Sequence, residues 1–91
     1  MAESGYTYAN ITTATNTLLK GAPGWFHGIV VNSGTGTFTI VDTTVAACTG
    51  GVTVATSAAT VAGQVYLYDA QMNNGLCITT AGTTNLTVTW R

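Results

Sequence analysis

Apolar and polar side chains alternate along several short stretches of this chain. The alternation has period two in Thr37–Ile40, in Val52–Val54 and in Leu86–Trp90, and Thr occupies most of the polar positions. Successive side chains of a β-strand point to opposite faces, so this period predicts strands with one buried and one solvent-facing side. We therefore expect these stretches to be strands of a sheet that is covered on its apolar face.

Two further stretches, Trp25–Val31 and Val65–Tyr68, are apolar with little alternation. Such runs are typical of strands that are buried on both sides. We expect each to lie centrally in a sheet, or to be covered on both faces by a neighbour. The segment from Ala9 to Lys20 is rich in Thr and lacks the three-four spacing of an amphipathic helix, so it is predicted to be extended.

Glycine-rich turns separate the predicted strands at short intervals. Asn32–Gly36 and Ala81–Asn85 are predicted to be hairpin loops, and further turns are expected at Gly50-Gly51, Ala62-Gly63 and Asn73–Gly75. The pattern yields about seven to eight short strands. A single flat sheet would leave one apolar face in water, so the sequence predicts an all-β fold: a compact two-layer antiparallel β-sandwich, jelly-roll or Ig-like.

The length of 91 residues is enough for one domain. We assign residues 9–91 to a single β-sandwich. Residues 1–8 are interpreted either as a frayed terminus or as an arm that docks on a neighbouring subunit through Tyr6 and Tyr8.

Export and membrane signals are absent from the sequence pattern. No apolar run approaches the ~20 residues that a spanning helix requires, and no basic segment followed by an apolar one begins the chain. We expect a protein that is made and used without signal-peptide export and does not enter a membrane.

Charged side chains make up only 5% of the chain and leave a net charge of -1. Two separated bases, Lys20 and Arg91, cannot form the basic patch that nucleic-acid binding requires. Little charge also means little repulsion between copies. We expect a protein that packs against copies of itself or against a larger body.

Residues that carry catalysis or bind metals are few and scattered. A catalytic triad could formally be built from His27, one of the two cysteines (Cys48 or Cys77) and one aspartate (Asp42 or Asp69). None of these residues lies in a catalytic motif. The same residues lack the paired spacing of zinc ligands and the clusters of calcium loops. We expect no enzyme activity, no catalytic residue, no cofactor and no metal site.

Cys48 and Cys77 can form one disulfide bond or remain free. Proteins that are assembled in the cytosol usually keep their thiols reduced, and single cysteines are commonly buried as small apolar residues. We expect two free thiols.

Aromatic residues permit two interpretations. Aromatic side chains on strands are commonly part of the core, and an exposed group of them can instead form a platform for a sugar ring. We expect the core role for the five candidates, which are Trp25, Phe26, Tyr66, Tyr68 and Trp90.

Several strand and turn patterns resemble, in their order along the chain, those of small tailed-phage virion proteins. The resemblance extends over nearly the whole chain from Ala9 onward. The matching stretches are Ile11–Thr15, Leu19–Gly24, His27–Asn32, Gly36–Thr44, Tyr68-Asp69, Asn74–Leu76, Thr80–Thr83 and Leu86–Thr89.

The resemblance implies a capsid decoration or cement protein that is made in the host cytoplasm and functions on the virion surface. Such proteins form homotrimers and bind major capsid proteins, which stabilises the shell. The alternative is a phage neck or tail protein, or a surface adhesin that binds a glycan or a receptor. The chain departs from the pattern at Trp25-Phe26 and at its two cysteines. These positions are interpreted either as a local interface or as a core that has drifted, and on the first interpretation Trp25 and Phe26 join Tyr6 and Tyr8 as candidate interface residues.

Overall fold

Eight β-strands form the regular structure in the computed structural model, which describes residues 5–91. No helix is present within these residues, and the predicted all-β class is confirmed. The strands in chain order are β1 (Thr7–Ile11), β2 (Asn16–Lys20), β3 (Gly24–Ser33), β4 (Thr37–Asp42), β5 (Val52–Thr56), β6 (Val65–Met72), β7 (Leu76–Ala81) and β8 (Asn85–Trp90).

The strands form two four-stranded sheets. Sheet 1 has the order β1-β8-β3-β6 and sheet 2 has the order β2-β7-β4-β5. Every neighbouring pair is antiparallel. The predicted two-layer antiparallel β-sandwich is therefore confirmed, and this strand order is that of the eight-stranded jelly roll.

The two predicted hairpin loops join different sheets, so their prediction as hairpins is wrong. Asn32–Gly36 leads from β3 in sheet 1 to β4 in sheet 2, and Ala81–Asn85 leads from β7 back to β8 in sheet 1. The loops lie side by side, since the backbone N–H of Gly36 donates to the carbonyl of Thr83 over 2.8 Å. Glycines indicate a turn, but they do not specify which sheet receives the next strand.

The segment from Ala9 to Lys20 is extended in two pieces that belong to different sheets. β1 pairs with β8 in sheet 1, and β2 pairs with β7 in sheet 2. Thr7 and Tyr8 are already paired with Trp90 and Thr89, so the predicted boundary after residue 8 falls inside β1. Residues 1–4 of the predicted arm lie outside the described residues.

The core lies between the inner faces of the two sheets. The alternation predicted for Thr37–Ile40 and Leu86–Trp90 is confirmed, because the apolar residues of both stretches are buried. The buried residues there form one hydrophobic group, which we call the core cluster: Ile11, Phe26, Ile29, Val31, Phe38, Ile40, Met72, Leu76, Ile78, Leu86, Val88 and Trp90.

The apolar alternation in β5 does not face the core. Val52 and Val54 are exposed, whereas Ala55 packs against the core cluster. The register of β4 against β5 shifts between Ile40 and Val41. This irregularity changes the face that each β5 residue presents, because side chains alternate with period two. The prediction that the two valines form the buried side of this strand is wrong.

The continuous apolar run in β6 does not mark a central strand. β3 lies inside sheet 1, as Trp25–Val31 predicted, but β6 is an edge strand. Val65 and Leu67 project from its outer face and are exposed. The prediction of a central position is therefore wrong for β6, and cover by a neighbour remains the alternative.

A second apolar cluster lies on the outer face of sheet 2. Val41 of β4, Cys77 of β7 and Leu18 of β2 are cross-strand neighbours there. Cys48, in the β4–β5 loop, covers this cluster and forms a disulfide bond with Cys77. The expectation of two free thiols is wrong, because the fold brings two residues 29 positions apart to a Cα–Cα distance of 5.4 Å.

Candidate functional site

Three of the four candidate interface aromatics reach the surface. Tyr8 is 71% exposed, Tyr6 is exposed and Trp25 is half-buried. Phe26 is 0% exposed and belongs to the core. Its assignment to an interface is wrong, because neighbouring side chains of a strand point to opposite faces and Phe26 points inward.

The remaining aromatic residues complete the core, as expected. Trp90 is buried, Tyr68 stacks on Phe26 with ring centroids 5.0 Å apart, and Tyr66 packs edge-on against Phe38. Burial raises the pKa of the Tyr68 phenol above its ordinary value, and the neighbouring Tyr66 adds to the rise. Trp25 is half-buried like the two tyrosines but does not pack against the core cluster, so the core role expected for it is wrong.

The outer face of sheet 1 carries exposed apolar side chains in two rows that cross all four strands. The register places Tyr8, Thr89, Gly28 and Leu67 in one row, and Asn10, Thr87, Val30 and Val65 in the next. Their exposed apolar members, which we call the apolar patch, are Tyr8, Val30, Val65 and Leu67. Neither row contains a charged residue.

A network of uncharged amides and hydroxyls borders the apolar patch. The Asn10 and Asn32 side-chain amides both donate to the Asn85 side-chain oxygen, over 2.9 Å and 3.2 Å. Both also donate to the Thr87 hydroxyl. This network fixes the polar side chains of three strands of sheet 1 without a formal charge.

Four residues with polar or ionisable groups meet at the opposite border of the patch. His27 Nδ1 lies 2.6 Å from Asp69 Oδ1. Tyr6 stacks on the His27 ring with centroids 4.1 Å apart, and the Arg91 guanidinium lies 5.0 Å from the centroid of the Tyr6 ring. These contacts hold the segment before β1 against sheet 1.

Irregular strand geometry brings His27 and Asp69 together. The register of β3 against both neighbouring strands shifts between Phe26 and Gly28, and His27 lies at this shift. Asp69 in the facing strand β6 has a φ of 49°. Bulges re-aim side chains, and a left-handed non-glycine residue is an unusual conformation that often accompanies function.

An open cleft of about 440 Å³ lies beside this group, at the end of sheet 1. We call it the end cleft, and its lining residues are Pro23, Gly24, Trp25, Gln71 and Arg91. Gln71 is the cross-strand partner of Trp25 on β6, and Arg91 exchanges two backbone hydrogen bonds with Trp25 on the other side. The side chains therefore form a third row across sheet 1.

The cysteine–histidine arrangement considered for catalysis does not form. Both sulfur atoms belong to the disulfide on sheet 2, whereas His27 lies on sheet 1. Within the part of the chain that the structure describes, no hydrogen bond joins His27 to a hydroxyl or thiol. The His27–Asp69 pair thus resembles the base and orienting acid of a triad without a nucleophile in contact.

Asp42 is held in a structural role rather than in a reactive one. It is 6% exposed and accepts hydrogen bonds from the backbone N–H groups of Asn73, Asn74 and Gly75 over 2.8–3.1 Å. Burial raises the pKa of this carboxyl, but the three N–H donors outweigh that effect and hold the pKa below its ordinary value of 3.8. Asp42 thereby fastens the end of β4 to the β6–β7 turn.

Residues 5–91 contain neither a metal-type cluster nor a membrane-type helix. No three His, Cys, Asp or Glu side chains come together there as ligands. The same residues contain no helix of the length and hydropathy that a membrane span requires.

Sequence reasoning missed several of the residues that shape this surface. The apolar run in Val65–Tyr68 predicts a central strand for Val65 and Leu67, and no pattern in the sequence singles out Gln71. Their alternation with Tyr66 and Tyr68, which pack on the core, is a signal that would have indicated one exposed face for β6. Asp69 and Arg91 stand out in the sequence as two of its few charged residues, but their convergence on His27 and Tyr6 depends on long-range pairing.

Comparison with protein-family models, with curated proteins and with solved structures finds no match to this chain.

Proposed function

We propose that this chain is a non-enzymatic virion structural protein that decorates or cements a phage capsid. In this role it binds copies of itself and the major capsid protein, and it stabilises the shell. The observation that carries the proposal is the apolar patch on the outer face of sheet 1. Large exposed apolar groups on a sheet are typical of surfaces that another protein covers.

The composition of this face supports attachment to a large body. Tyr8 and Leu67 are 71% and 66% exposed at opposite ends of one row, and Gly28 lies between them without a side chain. The bordering Asn and Thr side chains supply hydrogen bonds without the cost of desolvating a charge. Such a surface favours a broad contact with a protein over the binding of an ion.

The energetics of a shell favour many modest contacts. A standard interface buries about 800 Å² per partner, at roughly 25 cal/mol per Å² of apolar surface before the cost of association. Binding through several copies raises the effective strength without new contacts. A homotrimer, as the resemblance implies, would present three apolar patches to the shell.

The disulfide and the fold are compatible with this location. Disulfide bonds persist on virion surfaces and in other oxidising surroundings, so Cys48–Cys77 supports a protein that functions after release from the cell. Jelly rolls occur among viral capsid domains and also among lectins.

The test measures attachment to shells that are assembled from the major capsid protein of the phage that encodes this chain. We expect the chain to cosediment with the shells and to raise the temperature at which they burst. Leu67→Glu should lower the bound fraction at least ~tenfold, because it introduces a charge into the interface. Val52→Glu is the matched control on sheet 2, since Val52 is 67% exposed.

Three outcomes would contradict the proposal. The chain does not cosediment with the shells, the burst temperature is the same with and without it, or the two Glu variants bind equally well. Light scattering of the purified chain tests self-association separately. A trimer is expected, and a monomer at all concentrations would contradict the homotrimer.

The second candidate function is an adhesin of the neck, tail or surface that binds a glycan or a receptor. One specific observation favours it, namely the half-buried Trp25 in the end cleft.

A further inference from the structure

We infer that the end cleft is a binding site for a pyranose ring of a neutral saccharide, with Trp25 as the stacking platform and Gln71 as the hydrogen-bonding partner. The two residues are cross-strand neighbours on β3 and β6, and both line the cleft. No other described part of the surface combines an accessible indole with an adjacent planar amide.

Trp25 is suited to stacking by its position in the fold. Its backbone is fixed by pairing with Gln71 on one side and by two hydrogen bonds with Arg91 on the other. The next residue, Phe26, anchors the strand in the core. One face of a pyranose ring presents C–H groups, and these pack on the electron-rich face of an aromatic ring. A rigid, half-buried indole therefore loses little freedom when a sugar stacks on it.

Gln71 supplies the polar half of the site. Its side-chain amide has an N–H2 group that donates and an oxygen that accepts hydrogen bonds. Two neighbouring hydroxyl groups of a sugar can therefore bind to it, one as acceptor and one as donor. Gln71 lies on the exposed face of β6, two residues from the bulge at Asp69. Its cross-strand partner on β3 is Trp25, so Gln71 lies beside Trp25 in a row separate from the two rows of the apolar patch.

The wall of the cleft is tightly built from residues with little side chain. A Cβ atom on Gly24 would lie 2.7 Å from the Arg91 carbonyl oxygen and 2.5 Å from Cε of Lys20. Glycine is therefore required for the close approach of these two segments, and Pro23 stiffens the turn before it. A preformed wall of this kind is typical of ligand sites.

The chemistry of the lining favours a neutral saccharide over other ligands. Among the described residues, the lining contains no side-chain carboxylate for a metal or a cationic ligand. The guanidinium of Arg91 already lies over the ring of Tyr6. The cleft is open and has one aromatic platform, whereas polyproline segments are bound in grooves lined by several aromatic side chains. A volume of about 440 Å³ accommodates one or two sugar rings.

The experiment titrates the purified full chain with maltose, cellobiose, chitobiose and methyl galactoside, and follows backbone and side-chain resonances by NMR. At least one of these sugars should shift the indole N–H of Trp25 and the side-chain amide of Gln71, with a Kd on the order of 1 mM. The resonances of Tyr8 and Leu67 should not move. This measurement uses no capsid, so its result is independent of the proposed attachment to a shell.

The variants separate binding from folding. Trp25→Ala and Gln71→Ala should each weaken binding about tenfold or more, and Trp25→Phe should retain part of it. Tyr8→Ala, in the apolar patch, is the matched control and should bind like the unmodified chain. The absence of shifts with all four sugars would overturn the inference. So would shifts that survive Trp25→Ala, or selective binding of a proline-rich peptide in the cleft.

Discussion

Cys48 and Cys77 form a disulfide that joins the β4–β5 loop to the interior strand β7 of sheet 2. The bond closes over Val41 and Leu18, so the loop acts as a lid on the smaller apolar cluster. In a chain of this size, the cost of ordering a long loop is large compared with the total stability. We therefore expect this bond to be a major contributor to the stability of the fold.

The double variant Cys48→Ala/Cys77→Ala should lower the free energy of unfolding by about 3 kcal/mol. The estimate follows from the loss of a cross-link between residues 29 positions apart. Urea unfolding measures the change. A reducing agent should destabilise the unmodified chain to a similar extent and leave the double variant unchanged. Two thiols that can be alkylated in the native chain without prior reduction would contradict the disulfide.

Asp42→Asn should lower the free energy of unfolding by about 1.5–3 kcal/mol, because an amide cannot replace a carboxylate that accepts three backbone hydrogen bonds. Asp69→Asn is the control. Its carboxyl is 56% exposed, so a change within about 1 kcal/mol is expected. Urea unfolding at neutral pH measures both changes. Equal losses of unfolding free energy in the two variants would contradict a stabilising role for the buried hydrogen bonds of Asp42.

The lowered pKa of Asp42 also predicts a loss of stability in acid. A carboxyl whose pKa is lower in the folded than in the unfolded chain stabilises the fold above its ordinary pKa, 3.8 here, and this contribution is lost as the pH falls through the folded value. The unmodified chain should therefore lose stability below about pH 4. The Asp42→Asn variant should show a smaller loss between pH 5 and pH 2, and an identical pH profile would contradict the assignment.

Gly36→Ala should destabilise the fold by about 1–3 kcal/mol through overpacking. A Cβ atom at this position would lie 2.1 Å from the carbonyl oxygen of Ala81 and 2.7 Å from that of Thr83. Both contacts are with backbone, so the two crossing loops would have to separate. Gly5→Ala is the control, because nothing lies within 4 Å of its Cβ position. Thermal unfolding of the two variants should differ, and an unchanged Gly36→Ala transition would contradict the side-by-side loops.

Trp25 and Phe26 should respond very differently to truncation. Phe26→Ala should cost about 3–5 kcal/mol, because it opens a cavity between Tyr68 and the core. Trp25→Ala should cost only about 1 kcal/mol, since the side chain lies on the outer face. Similar losses of stability in the two variants would contradict a strand in which Phe26 points into the core and Trp25 points away from it.

Much of the fold was predictable from the alternation of apolar residues with Thr. Thr37–Ile40 and Leu86–Trp90 each present one apolar side, and a sheet with one apolar side must be covered. These patterns determine strands, their inward faces and the need for two layers. They also place the turns, since Gly and Asn cluster between the strands.

The partners of each strand were decided only by tertiary pairing. Gly-rich segments such as Asn32–Gly36 are compatible with a hairpin or with a crossing between sheets, and local chemistry does not distinguish the two. The same limit applies to β6, whose apolar run is typical of a central strand although the strand lies at an edge. Period-two patterns define the faces of a strand, not its neighbours.

The sequence by itself determined the all-β class, the sparse charge and the scarcity of catalytic groups. Only the tertiary structure brought Cys48 to Cys77, and His27 to Asp69 and Tyr6. It also separated Trp25 on the surface from Phe26 in the core, just before a shift in register interrupts the alternation. The physical reason is that each of these contacts joins residues distant in sequence, so its geometry depends on how the two sheets are assembled.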